Sequence, residues 1–125
     1  MEFSPLNPAG RQLIQSYGDG GFRISGARHE GSVLVFPLAT MAWSVAAVDE
    51  LSVDSLQQVA AAAPRVDILV LGTGQRMLAV PSPIRRHFRA AGITFEVMDT
   101  GAACRTYNVL MGDDRRVAAA LIAIG

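Results

Sequence analysis

The sequence predicts an α/β fold, a single domain over residues 1–125 with a β-hairpin near its front and a βαβ core behind it. Three observations carry this. The chain has 125 residues, one domain's length, and 50% are apolar against 18% charged, enough to bury a core without disulfides or metals. The front half alternates apolar and polar residues at strand period. The back half runs apolar stretch, helix-forming stretch, apolar stretch.

The elements follow in order. Residues 1–13 read as a loosely ordered N-terminal arm, and Tyr17–Gly21 as a flexible glycine-rich turn. Phe22–Gly26 alternates as a half-buried strand, and Ser32–Phe36 is a denser apolar run stopped by Pro37. Between them, Ala27–Gly31 is polar and ends in glycine, which predicts a hairpin loop. Met41–Val45 suits another short strand, with Trp43 as a core or interface anchor. Ser52 is placed to cap a helix through Ala62, with Leu56, Val59 and Ala60 on one stripe and Pro64 as its stop. Val66–Leu71 is a buried strand. Pro83 opens a helix through Ala91 and Gly92 closes it. Ile93–Met98 is the next strand, parallel to the previous one by the handedness of βαβ crossovers. Gly101–Met111 suits a further helix. Arg116–Ile124 is ambiguous: its alanines favour helix, but Val117, Ala119 and Leu121 on alternate positions favour strand, the reading adopted.

Composition removes whole chemistries. All 11 basic residues are arginine, so Schiff-base catalysis and a lysine-bearing P-loop are excluded. The single cysteine forbids an internal disulfide, and Cys104 with His29 and His87 offers no close ligand pair for zinc. No metal or cofactor is expected. Zero net charge argues against a nucleic-acid domain. No apolar run reaches the length of a spanning helix. The opening residues lack both a signal peptide's basic start and apolar block and a transit peptide's arginine-rich composition, so the expected address is the cytoplasm.

The charge balance hides an asymmetry. Residues 1–75 hold four arginines and seven acids, whereas 76–116 hold seven arginines and four acids. Arg85, Arg86 and Arg89 crowd one short helix. They are a candidate patch for an anion or an acidic partner, or an ordinary solvated face with Ile84 and Phe88 as the buried stripe.

Three motifs invite chemistry, each with a plainer account. Gly72-Thr73-Gly74 follows a strand, where α/β proteins often bind ligands, but Met77 stands where a dinucleotide fingerprint needs its third glycine; a tight turn explains it equally. Asp99-Thr100-Gly101 resembles an aspartic-protease triplet, yet a helix follows it, so Asp99 or Thr100 also reads as an N-cap. Cys104 falls in that helix's first turn beside Arg105, a setting that favours thiolate if the sulfur reaches solvent. A Cys–His–Asn enzyme with His87 and Asn108 can be drawn, against a buried cysteine acting as a small hydrophobe. The two loops follow neighbouring parallel strands, so Gly72, Thr73, Gly74, Asp99, Thr100, Gly101, Cys104, Arg105, Tyr107 and Asn108 form one candidate binding surface.

Longer stretches resemble a known family. Tyr17-Gly18 with Gly21-Phe22, Gly31-Ser32-Val33-Leu34-Val35-Phe36-Pro37 and Trp43 match its front, and Ile68–Gly74 and Val97–Asn108 its back. The chain is similar to small bacterial relatives of mitochondrial respiratory complex I assembly factor 3, often filed as a domain of unknown function. The resemblance implies a compact three-layer α/β domain with a mixed sheet, and a role in complex I assembly through protein partners. The expectation is therefore a non-enzymatic binding domain with protein partners, no nucleic acid and no transmembrane segment. The alternative is an enzyme or small-anion binder using the crevice between Gly72–Gly74 and Asp99–Asn108.

Overall fold

Two tight turns shape the front of the chain in the computed structural model, which describes residues 10–125. Strands β1 (Ile14–Gly18), β2 (Gly21–Ile24) and β3 (Ala27–Glu30) form an antiparallel three-stranded sheet. Gly18 pairs with Gly21 and Ile24 with Ala27, leaving Asp19-Gly20 and Ser25-Gly26 as two-residue turns. All four turn residues have positive φ, the primed geometry that matches strand twist and that Asp-Gly and Ser-Gly supply at low cost. A hairpin does open the fold, but its strands and turns are not the expected ones. Ala27–Gly31 is not a loop joining strands 22–26 and 32–36; most of it is itself a strand, and the residues before the Asp19 turn are another. Residues 1–9 of the expected arm lie outside the described residues. Beyond them, the Gln12 N–H donates to the Pro37 carbonyl at 2.8 Å and Leu13 is buried.

The main sheet is mixed and five-stranded. Its strands are β4 (Val33–Phe36), β5 (Ala39–Ala42), β6 (Ile68–Gly72), β7 (Thr94–Met98) and β8 (Val117–Leu121), in the order β5-β4-β8-β6-β7. β6 and β7 are parallel, as expected, and β8 runs parallel to β6 and antiparallel to β4. The ambiguous C-terminal segment is therefore a strand, and a central one. Every residue of β8 is buried, because both faces of the sheet are covered there; alanine suits a strand pressed from both sides.

Side-chain alternation sorts the core into two layers. Leu34, Leu69, Leu71, Phe95, Ala118 and Ala120 pack on one face. There they meet Trp43, α1 (Gln57–Ala60) and α2 (Ser82–Ala90). Val33, Val35, Ile68, Val70, Val117, Ala119 and Leu121 pack on the other. There they meet α3 (Thr100–Gly112) and the small sheet's Ile14, Phe22 and Ile24. This is the three-layer arrangement. Trp43 is a core anchor whose indole N–H donates to the Ser55 carbonyl at 2.7 Å. The expected 52–62 helix is shorter: a 3-10 turn at Asp54–Leu56 leads into only four α residues. It buries just Leu56 and Val59, too little tertiary support to extend a helix that Pro64 already limits.

Candidate functional site

The loops after β6 and β7 meet, as their parallel strands require, but they meet closed. Thr100 is the joint. It is fully buried, and its Oγ1 accepts from the Gly74 N–H at 2.9 Å and donates to the Ile122 carbonyl at 2.7 Å. The Thr100 N–H returns a bond to the Gly74 carbonyl at 2.9 Å. Gly72 is glycine because Thr100 lies against it: a Cβ there would stand 2.8 Å from Thr100 Cα. Thr73 turns its hydroxyl to the Arg76 carbonyl and accepts from the Leu78 N–H. Neither of two grooves, of about 520 and 310 Å³, contains a residue of this joint. Where the expected crevice would lie, Thr100 and Ala103 close against Gly72.

The Asp99–Asn108 stretch explains itself in the same way. Asp99 is the N-cap of α3, its carboxylate accepting from the Ala102 N–H at 2.9 Å. Gly101 lies where the Tyr17 hydroxyl comes close enough to exclude a Cβ. Tyr107 is fully buried, and its hydroxyl donates to the Gln12 carbonyl at 2.9 Å. The Asn108 amide acts as a surrogate strand, accepting from the Ile14 N–H at 3.0 Å and donating to the Ile14 carbonyl at 2.8 Å. Arg105 alone of these residues stands exposed. Tyr107 and Asn108 thus fasten α3 to the start of the small sheet, a role that sequence spacing does not announce.

Cys104 corrects the thiolate reading. Its side chain points into the core layer between α3 and the sheet and is fully buried. Burial pushes the thiol up to about 12 from its ordinary 9.0, only partly opposed by Arg105. Below the ordinary value both folded and unfolded chains hold this proton. As pH rises from about 9 toward 12, the unfolded chain releases it first, so stability falls across that window. Iodoacetamide at pH 8 should leave native protein unlabelled and label it fully once denaturant is added. Rapid labelling of native protein, monitored by mass spectrometry, would restore the reactive-thiol reading.

Two grooves lie elsewhere. The larger, about 520 Å³, sits at the opposite end of the sheet, where Val66 and Val117 enter β6 and β8; Phe36, Leu38 and Met41 line it. The smaller, about 310 Å³, runs between α2 and β7 and is lined by Arg85 and Arg89 with Thr94 and Glu96. Arg86 is exposed on the same helix. The expected basic patch therefore borders a groove, and neither of these two grooves is lined by a residue of Gly72–Gly74 or Asp99–Asn108.

Comparison with known proteins agrees with this architecture. Residues 14–122 match the family model described as a protein of unknown function (DUF498/DUF598). A Xenopus tropicalis protein named NADH dehydrogenase [ubiquinone] 1 alpha subcomplex assembly factor 3 is 38% identical over 110 residues, 88% of this chain. The chain spans 60% of that relative's length. An uncharacterised Rhodobacter capsulatus protein is 39% identical over 95% of this chain and 92% of its own length. Among solved structures, a Bartonella henselae protein described as an outer membrane protein superposes with a TM-score of 0.85 at 34% identity. That match covers 93% of this chain and 98% of the other. The chain belongs to the DUF498/DUF598 family, and the assembly factor 3 proteins are among its relatives.

Proposed function

We propose that this chain is an assembly factor for respiratory complex I that works from the cytoplasm by binding protein partners rather than by catalysis. The likeness to relatives named assembly factor 3, across most of this chain, supports the assembly role. The observation that carries the non-catalytic part is the fate of the Asp99–Asn108 stretch. Its aspartate caps, its threonine bridges, its cysteine is buried, and its tyrosine and asparagine hold backbone. Residue types that could have done chemistry are occupied in holding two layers together, which leaves the exposed surface as the place of action.

Deleting the gene in its host and resolving membrane complexes on native gels tests the reading. Loss of assembled NADH dehydrogenase, restored by the wild-type chain and by Cys104→Ala, is the expected result. Normal assembly in the deletion strain would reject the respiratory role. Substrate turnover abolished by Asp99→Asn in normally melting protein would reject the non-enzymatic part. The basic patch gives a second expected result. Replacing Arg85, Arg86 and Arg89 together by Gln should weaken partner capture at low salt and leave the melting temperature nearly unchanged, because exposed charges contribute little to folding. Equal capture by both chains would make the cluster plain solvated surface.

A further inference from the structure

β7 is an outer strand of the main sheet, and its free side has a definite set of hydrogen-bonding groups. The Thr94 N–H donates to the Asp67 carbonyl at 2.8 Å, and the Met98 carbonyl accepts from the Thr73 N–H at 2.9 Å. Backbone groups alternate sides along a strand, so those of Thr94, Glu96 and Met98 face β6. The N–H and C=O groups of Phe95 and Val97 face away, and no described strand pairs with that side. Such an edge is a template for another strand.

The groove of about 310 Å³ lies along this edge. One wall is α2, which contributes Arg85 and Arg89. The ion pairs among the described residues are Arg11–Asp114, Arg28–Glu30 and Arg65–Asp67, so neither groove arginine is neutralised by an acid. Phe95 and Val97 pack their side chains toward the α2 layer, and Thr94 and Glu96 alternate to the opposite face. A strand added to this edge alternates likewise. Side chains on its α2 side meet two guanidinium groups, and those on its other side meet Thr94 and Glu96.

We propose that the open edge of β7 receives an extended acidic segment of a partner protein as an added strand. The segment would carry carboxylates at every second position, toward Arg85 and Arg89, with uncharged residues between them. This rests on the partner-binding reading above and names the surface and chemistry of the partner. Main-chain bonds to Phe95 and Val97 supply affinity, and the arginines select the sequence, the usual division of labour in strand addition. A second copy of this chain fits poorly. Antiparallel pairing of two β7 edges about a two-fold axis puts both α2 helices on the same side of the seam. Arginine-bearing helices then face each other across the seam, and the register centred on Glu96 also sets two carboxylates opposite each other, like-charge pairings that destabilise.

The probe is a short fluorescein-labelled peptide alternating Glu and Thr, titrated into purified full-length chain at low salt. Saturable binding is expected, at least tenfold weaker for the peptide with Gln in place of Glu. Arg85→Glu with Arg89→Glu should weaken it at least tenfold while leaving the backbone untouched. Val97→Pro should do the same, since its N–H faces away from β6 and no ladder bond is lost; a thermal melt accompanies it. Hydrogen exchange of the Phe95 and Val97 amides should slow at least tenfold on saturation. No binding, equal binding by the charge-reversed chain, or unchanged exchange at these two amides overturns the proposal. So does a dimer in analytical ultracentrifugation that Val97→Pro dissociates, because the occupant would then be a second copy. Complex I assembly restored fully by a stably folded Val97→Pro chain would overturn the edge while leaving the assembly role intact.

Discussion

Replacing Thr100 by valine should cost the fold about 3 kcal/mol. Valine matches the shape of threonine but carries no oxygen. The Gly74 N–H would lose its acceptor and the Ile122 carbonyl its donor, at distances of 2.9 and 2.7 Å in the native chain. Both groups are in the buried joint, and each unpaired group costs about 1–3 kcal/mol. For a domain of this size the melting temperature should fall by about 10 °C, read by circular dichroism. Thr100→Ser keeps the oxygen and gives up one methyl group, so it should cost about 1 kcal/mol. Equal melting of the valine and serine chains would show that the hydroxyl bridge contributes nothing and would reopen the joint as a site with another purpose.

A larger loss is expected at Tyr107, divided unequally between ring and hydroxyl. The residue is fully buried among Ile14, Phe22 and Val70 in the α3 layer. Tyr107→Ala removes the ring and leaves a cavity, a change that costs about 3–5 kcal/mol. Tyr107→Phe keeps the ring and orphans only the Gln12 carbonyl, at about 1 kcal/mol. Urea denaturation of the two variants separates the contributions. Hydrogen exchange adds a local readout. In the phenylalanine chain, the amides of Gln12 and Ile14 should open faster than the amides of β6, because Tyr107 and Asn108 hold that segment from one side. Equal stability of the alanine and phenylalanine chains would contradict the core placement of the ring.

The parts of this architecture that were legible in the sequence are those where burial dictates residue type. Ile68–Gly72 is buried at every position, and a continuous apolar run is how such a strand must be written. Val117–Leu121 was readable through its alternation despite three alanines. β3 was not, because Ala27-Arg28-His29-Glu30 buries nothing fully and so bears no apolar period. The signal that would have found it is the pair of turn dipeptides, Asp19-Gly20 and Ser25-Gly26, whose spacing leaves room only for short paired strands.

For the candidate site, sequence placed Gly72–Gly74 beside Asp99–Thr100 correctly, because two parallel neighbours end at the same edge. Sequence does not encode whether the space between them is open. A glycine that admits a ligand and a glycine that admits Thr100 are the same letter, and the distinction appears only as 2.8 Å to a backbone carbon. The groove at β7 was half legible. Arg85, Arg86 and Arg89 stood out as a cluster, but the free edge beside them depends on β7 being outermost, a property of strand order.

Strand order also fixes the schedule of folding during synthesis. The β4–β5 and β6–β7 pairs are made of residues 33–98, yet they are joined in the sheet only through β8, residues 117–121. While the ribosome still holds β8, the nascent chain has a hairpin and a βαβ piece with the apolar edges of β4 and β6 bare. Sheet edges of this kind attract other chains. The domain should therefore fold in one late step, when Val117–Leu121 clears the exit tunnel and slots between the two pieces. Stalled chains ending before Val117 should be protease-sensitive throughout and bind chaperones, whereas chains extended far enough to release Leu121 should become resistant together. Resistance that builds up piece by piece from the front would show that the two halves hold themselves without the strand between them.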